Sequence, residues 1–372
     1  MQFDVAIVGG GLAGLVNAYL LAKEDYRVVL FEKKSYPFHR VCGEYISNEV
    51  IPFLEHNDLF PDDLDPVSIS RFRLTSLNGK SLHMPLDLGG FGVSRYGFDN
   101  FLYKRCLQVG VDFRLKTTVE NIGFKADQHE ITVKGGECVA ARVVIGAYGK
   151  RSSLDRQLDR KFMKSRSPYL GVKYHITTDY PEDLITLHNF RGGYCGVSRV
   201  EDDKVNLCYL ASRNQLLKHG SIEKMEEEVL FENPHLKELF RGASFIFDKP
   251  VVINEISFAT KTPIEAHILM SGDSAGMVTP LCGNGMAIAI RSARLLSELV
   301  AEFLKGAIIR HELEAAYAGS WSANFQKRLW AGRKIQSLFG KYNVSNFAVA
   351  AARASRGFGN FLMQQTHGKP FQ

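Results

Sequence analysis

The chain has 372 residues, 45% of them hydrophobic and 23% charged, with a formal net charge of +6. That apolar content can fill the cores of two or three domains, and it excludes a disordered chain or a dedicated nucleic-acid binder. The six cysteines, at 42, 106, 138, 195, 208 and 282, show neither CxxC spacing nor an accompanying histidine cluster. No metal site or disulfide framework is therefore expected, and the usage suits a reducing cytoplasm.

Phe3 to Val8 is a short β-branched run of the kind found in central parallel strands. Gly9, Gly11 and Gly14 follow in GxGxxG spacing, Leu15 to Lys23 reads as a helix, and Arg27 to Phe31 is a second strand closed by Glu32. The stretch from Val5 to Ala22 carries no charge, but it lacks a basic flank and has glycines in its middle. It reads as strand, turn and buried helix rather than a signal or membrane segment. Gly9 allows the tight turn, Gly11 leaves room for a pyrophosphate, and Gly14 lets the helix pack on the strand. The helix N-terminus offers free N–H groups to phosphate, Leu12 and Ala13 before it are further cofactor-binding candidates, and Glu32 stands where an acid accepts hydrogen bonds from ribose hydroxyls, beside Lys33. The unit suits FAD and NAD equally.

Further along, Arg71–Leu77 and Lys80–Met84 flank Asn78-Gly79, a hairpin signal. Strands are expected at Leu170–Thr177, Leu184–Phe190, Tyr194–Val200 and Lys204–Leu210, with short turns between them. A helix is expected over Ser221–Glu232, then two strands at about 244–248 and 251–259. Tyr169, Tyr174, Phe190, Tyr194 and Tyr209 are candidates to line a substrate cavity or to fill the core of this antiparallel sheet. An apolar strand then ends in Gly272-Asp273, a loop runs from Pro280 through Cys282, Gly283 and Asn284 to Gly285, and a helix is expected from Met286 to about Leu304. The tail from about His311 carries Trp321 and Trp330. From 306 onward nine Lys/Arg stand against two Glu, a local +7. This excess is either a set of solvated helix faces or a contact with an acidic membrane surface.

The N-terminal unit, the Gly272-Asp273 strand end and the Pro280–Gly285 loop together resemble the superfamily of FAD-dependent class A monooxygenases and geranylgeranyl reductases, from Met1 to about Leu304. The resemblance implies an α/β fold. A Rossmann-type FAD-binding domain would be built from 1–70, 96–155 and 260–310. An antiparallel substrate domain would comprise 71–95 and 156–259, with a helical region at 311–372. It also implies that Asp273 accepts hydrogen bonds from the ribityl chain. The backbone of Gly283, Asn284 and Gly285, with Met286 opening the helix, would face the N1/O2 edge of the flavin.

Three more segments carry the likeness. The segment from Phe38 to Glu44 resembles the loop where Arg40 contacts the cofactor, and its Cys42-Gly43 pair resembles the reductase branch. Arg95, Asp99 and Leu102 match a helix entry of the family, although Asp99 serves equally well as an N-cap or first-turn acid. Gly149 falls in the family's Asp-Gly motif, where Tyr148 replaces the Asp. That motif supports both FAD and NAD(P)H in the family, so the electron donor is NAD(P)H or another reductant.

The implied activity is reduction of a C=C bond in an isoprenoid- or polyketide-like substrate by hydride transfer from reduced FAD. Cys42, Glu44 and Cys282 are the candidates for supplying a proton. The alternatives are an aromatic or polyketide hydroxylase working through a flavin C4a-hydroperoxide and a non-catalytic prenyl-binding escort. A halogenase is disfavoured by the missing WxWxIP signature. A cytoplasmic protein with peripheral membrane contact through the basic tail is expected.

Overall fold

Short β-branched runs buried on both faces become central strands only where helices cover the sheet. Accordingly, Ile268–Met270, Cys138–Gly146, Gln2–Val8, Val28–Glu32 and Asp112–Leu115 lie side by side and all parallel in the computed structural model. The structure describes residues 2–164, 167–279, 284–336 and 368–372. The hairpin Val119–Lys125/Gln128–Val133, which the sequence patterning did not mark, extends this sheet antiparallel to Cys138–Gly146.

The first helix runs Leu12–Lys23, three residues earlier than its periodicity suggested. Gly14, expected to let the helix pack on the strand, lies in the first helical turn. A β-carbon there would collide with the carbonyl oxygen of Gly9. This helix packs against Gly285–Leu304 and Arg95–Gln108.

Among the described residues the second sheet has nine strands. Its order is Ser244–Phe245, Tyr169–Thr177, Val205–Ser212, Gly193–Arg199, Leu184–Phe190, Val67–Thr75, Ser81–Gly92 and Tyr45–Ser47, with Val251–Ile256 also on Tyr169–Thr177. It is not purely antiparallel, because Val67–Thr75 runs parallel to Leu184–Phe190. The hairpin at Asn78-Gly79 is present, and its second strand runs on to Gly92. The expected strand over 251–259 stops at Ile256.

The expected helix over Ser221–Glu232 stops at Glu228, and a separate helix follows beyond the expected span. Ile222–Glu228 is capped by the Ser221 side chain, and after the short turn Leu230–Glu232 the chain restarts as Pro234–Gly242 under an Asn233 cap. Proline after a capping residue ends one helix and opens the next.

The two faces of this sheet differ. Leu170, Val172, Tyr174 and Ile176 point to an outer core with Phe190, Tyr209, Met225, Val229 and Leu236. The opposite face carries Leu187, Tyr194, Leu210, Ile256 and Met277, flanked by Phe72, Leu74, Tyr169 and Phe258. Of the five aromatic candidates, Tyr174, Phe190 and Tyr209 therefore fill the outer core. Only Tyr169 and Tyr194 share the face on which Met277 packs.

The last long helix is Arg310–Gln336. Trp321 is buried beside Tyr317 and Phe325, whereas Trp330 is 57% exposed. Part of the basic excess is used internally: Arg310 donates to the carbonyl of Arg142, and Arg328 pairs with buried Glu49. Lys341, Arg353 and Arg356 lie outside the described residues. The final residues return to the body of the molecule, where Phe371 stacks on Phe53 beside Arg291 and Arg294.

Candidate cofactor cradle and the interface above it

At the end of the first strand Gly9 adopts φ +106, and a β-carbon there would strike the backbone of Ala147 on the neighbouring crossover. Gly11 stands at the N-cap of the first helix with no side chain capping it. A β-carbon on Gly11 would meet only the tip of Arg95, 3.7 Å away. Uncapped first-turn N–H groups of Leu12 and Ala13, open space at Gly11 and an arginine beside it form a cradle that fits a pyrophosphate.

Glu32 is buried and serves the turn itself. Its carboxylate accepts from the amides of Gly10 (3.0 Å) and Lys34 (3.0 Å) and pairs with Arg40 at 3.3 Å. Arg40 also donates to the Gly10 carbonyl at 2.9 Å and to Asp99 at 2.8 Å. Arg95 grips Asp99 through two bonds, of 2.7 and 2.8 Å. The cap of the helix is Ser94, which accepts from Gly97. Asp99 is therefore neither N-cap nor first-turn acid but the buried anion between Arg40 and Arg95. Burial works against the Arg95 charge, but Asp99 overcomes it and holds the guanidinium protonated. Lys33 is exposed, as is Gly43, which has open space around it.

The second loop group is cross-stitched. The amide of Gly149 (φ +83) donates to Ser274 Oγ at 2.8 Å. Lys261 donates to the carbonyls of Lys150 and Asp273, both at 2.7 Å, and Arg160 donates to Ser274 O and pairs with Asp155. Burial brings the Lys261 ammonium down to about 8. Gly272 (φ +62) faces Ala13, where a β-carbon would approach the alanine to 2.9 Å. The two glycine turns of the chain thus meet, with the partly exposed Asp273 beside them. Tyr148, in the place of the motif Asp, donates to Met270 Sδ at 3.1 Å. Asn284 is buried at the N-cap of Gly285–Leu304, and Met286 is buried in its first turn. Cys282 and Gly283 lie outside the described residues.

Glu44 is the candidate with the densest surroundings. It is fully buried, with φ +53. One carboxylate oxygen accepts from the Arg95 amide (2.7 Å) and from Lys173 Nζ, and the other meets His175 Nε2 at 2.7 Å. Burial alone would raise its carboxyl, but the Lys173 charge and then the His175 contact bring it down to about 2. Cys42 lies beside it, its carbonyl accepting from Asn206 at 3.2 Å. Lys173 and His175 were missed in the sequence. Their signal is a Lys and a His two apart in an otherwise apolar strand, on the face opposite Val172, Tyr174 and Ile176.

A family model described as an NAD(P)-binding Rossmann-like domain matches residues 7–44. Conditioned medium factor receptor 1 of Dictyostelium discoideum is 25% identical over 95% of this chain and 74% of its own length. Digeranylgeranylglycerophospholipid reductase 2 of Methanopyrus kandleri is 26% identical over 96% of this chain and 91% of its own. Among solved structures, the flavin-dependent brominase Bmp2 aligns with TM-score 0.80 at 18% identity, covering 98% of this chain and 94% of that one. A geranylgeranyl bacteriochlorophyll reductase-like protein of Thermoplasma acidophilum aligns with TM-score 0.79 at 17% identity, covering 100% and 96%. These structural likenesses speak for the fold.

Proposed function

Because the chain belongs to the superfamily of FAD-dependent class A monooxygenases and geranylgeranyl reductases and is an FAD-dependent oxidoreductase, we propose that it reduces a C=C bond in a hydrophobic, isoprenoid- or polyketide-like molecule. One observation carries the substrate class. The sheet face beside the cofactor segments is apolar and aromatic around Met277, four residues beyond Asp273. The reductase name of a relative matching nearly the whole chain supports the reaction type.

Bound and reduced, FAD would supply the electron pair as a hydride. The chain does the rest. Leu12 and Ala13 would hold the pyrophosphate end and Asp273 the ribityl chain, while Arg40 and Arg95, held in place by Glu32 and Asp99, would turn their remaining N–H donors to the phosphates. Residues 1–70, 96–155 and 260–310 serve the cofactor in this reading, except that Tyr45–Ser47 and residues 67–70 belong to the second sheet, while 71–95 and 156–259 serve the substrate and 311–372 are the helical region. NAD(P)H is the proposed reductant, and contact with a membrane surface through the exposed Trp330 region is the proposed route to an apolar substrate.

The test is an anaerobic single turnover of photoreduced protein with isoprenoid and polyketide candidates, read by mass spectrometry. A product that has gained two hydrogens supports the reading. A product that has gained an oxygen, formed only when air is admitted, replaces it with hydroxylation.

A further inference from the structure

The inward face of the second sheet changes character along its length. Beyond the apolar rows, Lys173 lies opposite Cys208, and His175 opposite Asn206, which in turn lies opposite Ser198. All of these side chains except Cys208 are nearly or fully buried. The loop from His39 to Glu44 sits on them. His39 stacks on exposed Tyr96 (4.6 Å) and meets His175 edge-on at 5.4 Å. From outside to inside the order is Tyr96 and His39, then His175, then Glu44, then Lys173.

Three polar atoms in this zone are buried without a protein hydrogen-bond partner: His39 Nδ1, Asn206 Oδ1 and Ser198 Oγ. A buried polar atom left unpaired is costly, and a group of them in one polar layer is satisfied by internal water. The ionised triad is costly as well. A buried pair seldom outperforms apolar packing, and a left-handed glutamate adds strain. A loop that only had to stick to the sheet would be held more cheaply by apolar side chains.

We propose that His39, His175, Glu44 and Lys173, with water held by Asn206 and Ser198, form a proton path from solvent to the interface between cofactor and substrate. Glu44 meets His175 on one oxygen and Lys173 on the other, so a proton accepted from His175 reaches the Lys173 amine once the carboxyl group turns. Burial, then the neighbouring Lys173 and His175, lower His39 to about 4. At neutral pH its ring is uncharged, and an uncharged imidazole relays by accepting at one nitrogen and donating from the other.

The inference rests on the flavin reading above. As a hydride from the reduced flavin would reach one atom of the acceptor, the fully buried Lys173 ammonium would pass a proton to the other through the internal water beside it. Lys173 regains a proton through Glu44 and His175, and His39 draws one from water. The electrons come from reduced FAD, which ends oxidised.

Menadione, an apolar quinone that takes up a hydride and a proton, serves as acceptor for photoreduced holoenzyme in stopped flow. Wild type should show a solvent deuterium isotope effect on flavin reoxidation. The neutral double variant Glu44→Gln/Lys173→Met removes both charges together and avoids stranding one. It should retain FAD and be slower by about a hundredfold. His39→Phe keeps the ring stack and should be slower, with imidazole restoring the rate. Its readout stands even where the interior variant loses flavin. Reoxidation of His39→Phe, or of the FAD-loaded double variant, at the wild-type rate and with the same isotope effect overturns the relay alone. A wild-type chain that cannot be loaded with FAD overturns both the relay and the flavin reading.

Discussion

Single side chains in this protein carry opposite titration behaviour according to what meets them after burial. Glu44 is held low by Lys173 and His175, so its contribution is present above the usual carboxylate range and is lost as pH falls toward about 2. Glu226, in the outer core, is raised to about 7 by burial, partly offset by the Tyr209 and Tyr174 hydroxyls that donate to it at 2.7 and 3.0 Å. A carboxyl raised in the folded state contributes stability below its unfolded value and loses it as pH rises to about 7. Glu226→Gln keeps an acceptor for both tyrosines and removes the ionisation. It should raise the unfolding free energy relative to wild type at pH 8, by on the order of 1–3 kcal/mol in chemical denaturation, and not at pH 4. An equal effect at both pH values would show that Glu226 does not titrate in this window. Asp273 is the residue whose loss speaks to the cofactor. Asp273→Ala should purify with less bound FAD, and unchanged flavin occupancy would remove the ribityl contact from the reading.

At the scale of elements, the first strand and helix are joined more closely than side chains normally allow. Gly14→Ala places a methyl group against the Gly9 carbonyl. It should cost about 1–3 kcal/mol by overpacking and weaken FAD binding at the same time, measured by chemical denaturation and by FAD titration of apoprotein. Stability and affinity both at wild-type values would mean that strand and helix can separate without cost. The C-terminal residues are an element of their own. Phe371 fits between Phe53, Arg291 and Arg294, so Phe371→Ala should destabilise by about 3 kcal/mol. A thermal midpoint within error of wild type would show that this contact is not formed in solution.

For the whole molecule, the cofactor cradle draws on segments scattered from Gly9 to Met286, so binding should stabilise the fold globally. Adding FAD to apoprotein should raise the unfolding free energy by about 2.7 kcal/mol at a hundred times Kd, rising further with concentration. Riboflavin, which lacks the pyrophosphate, should give a smaller shift, and an equal shift would mean that the Gly9–Gly14 turn does not hold the diphosphate. The glycine turn, the strand ending at Gly272-Asp273, the Asn78-Gly79 hairpin and the helix expected from Met286 were legible in the sequence because each depends on neighbours a few residues away. Steric freedom, turn geometry and apolar period are local properties. Which face Tyr174, Phe190 and Tyr209 would present was not legible, because strand register alone decides it and both faces of this sheet are buried. Nor was the meeting of Glu44 with Lys173 and His175, about 130 residues apart in the chain. Long-range contacts of that kind follow from how two sheets pack. Local pattern thus determined a dinucleotide-binding α/β chain, and only tertiary packing gathered the buried charges against the loop that carries Cys42.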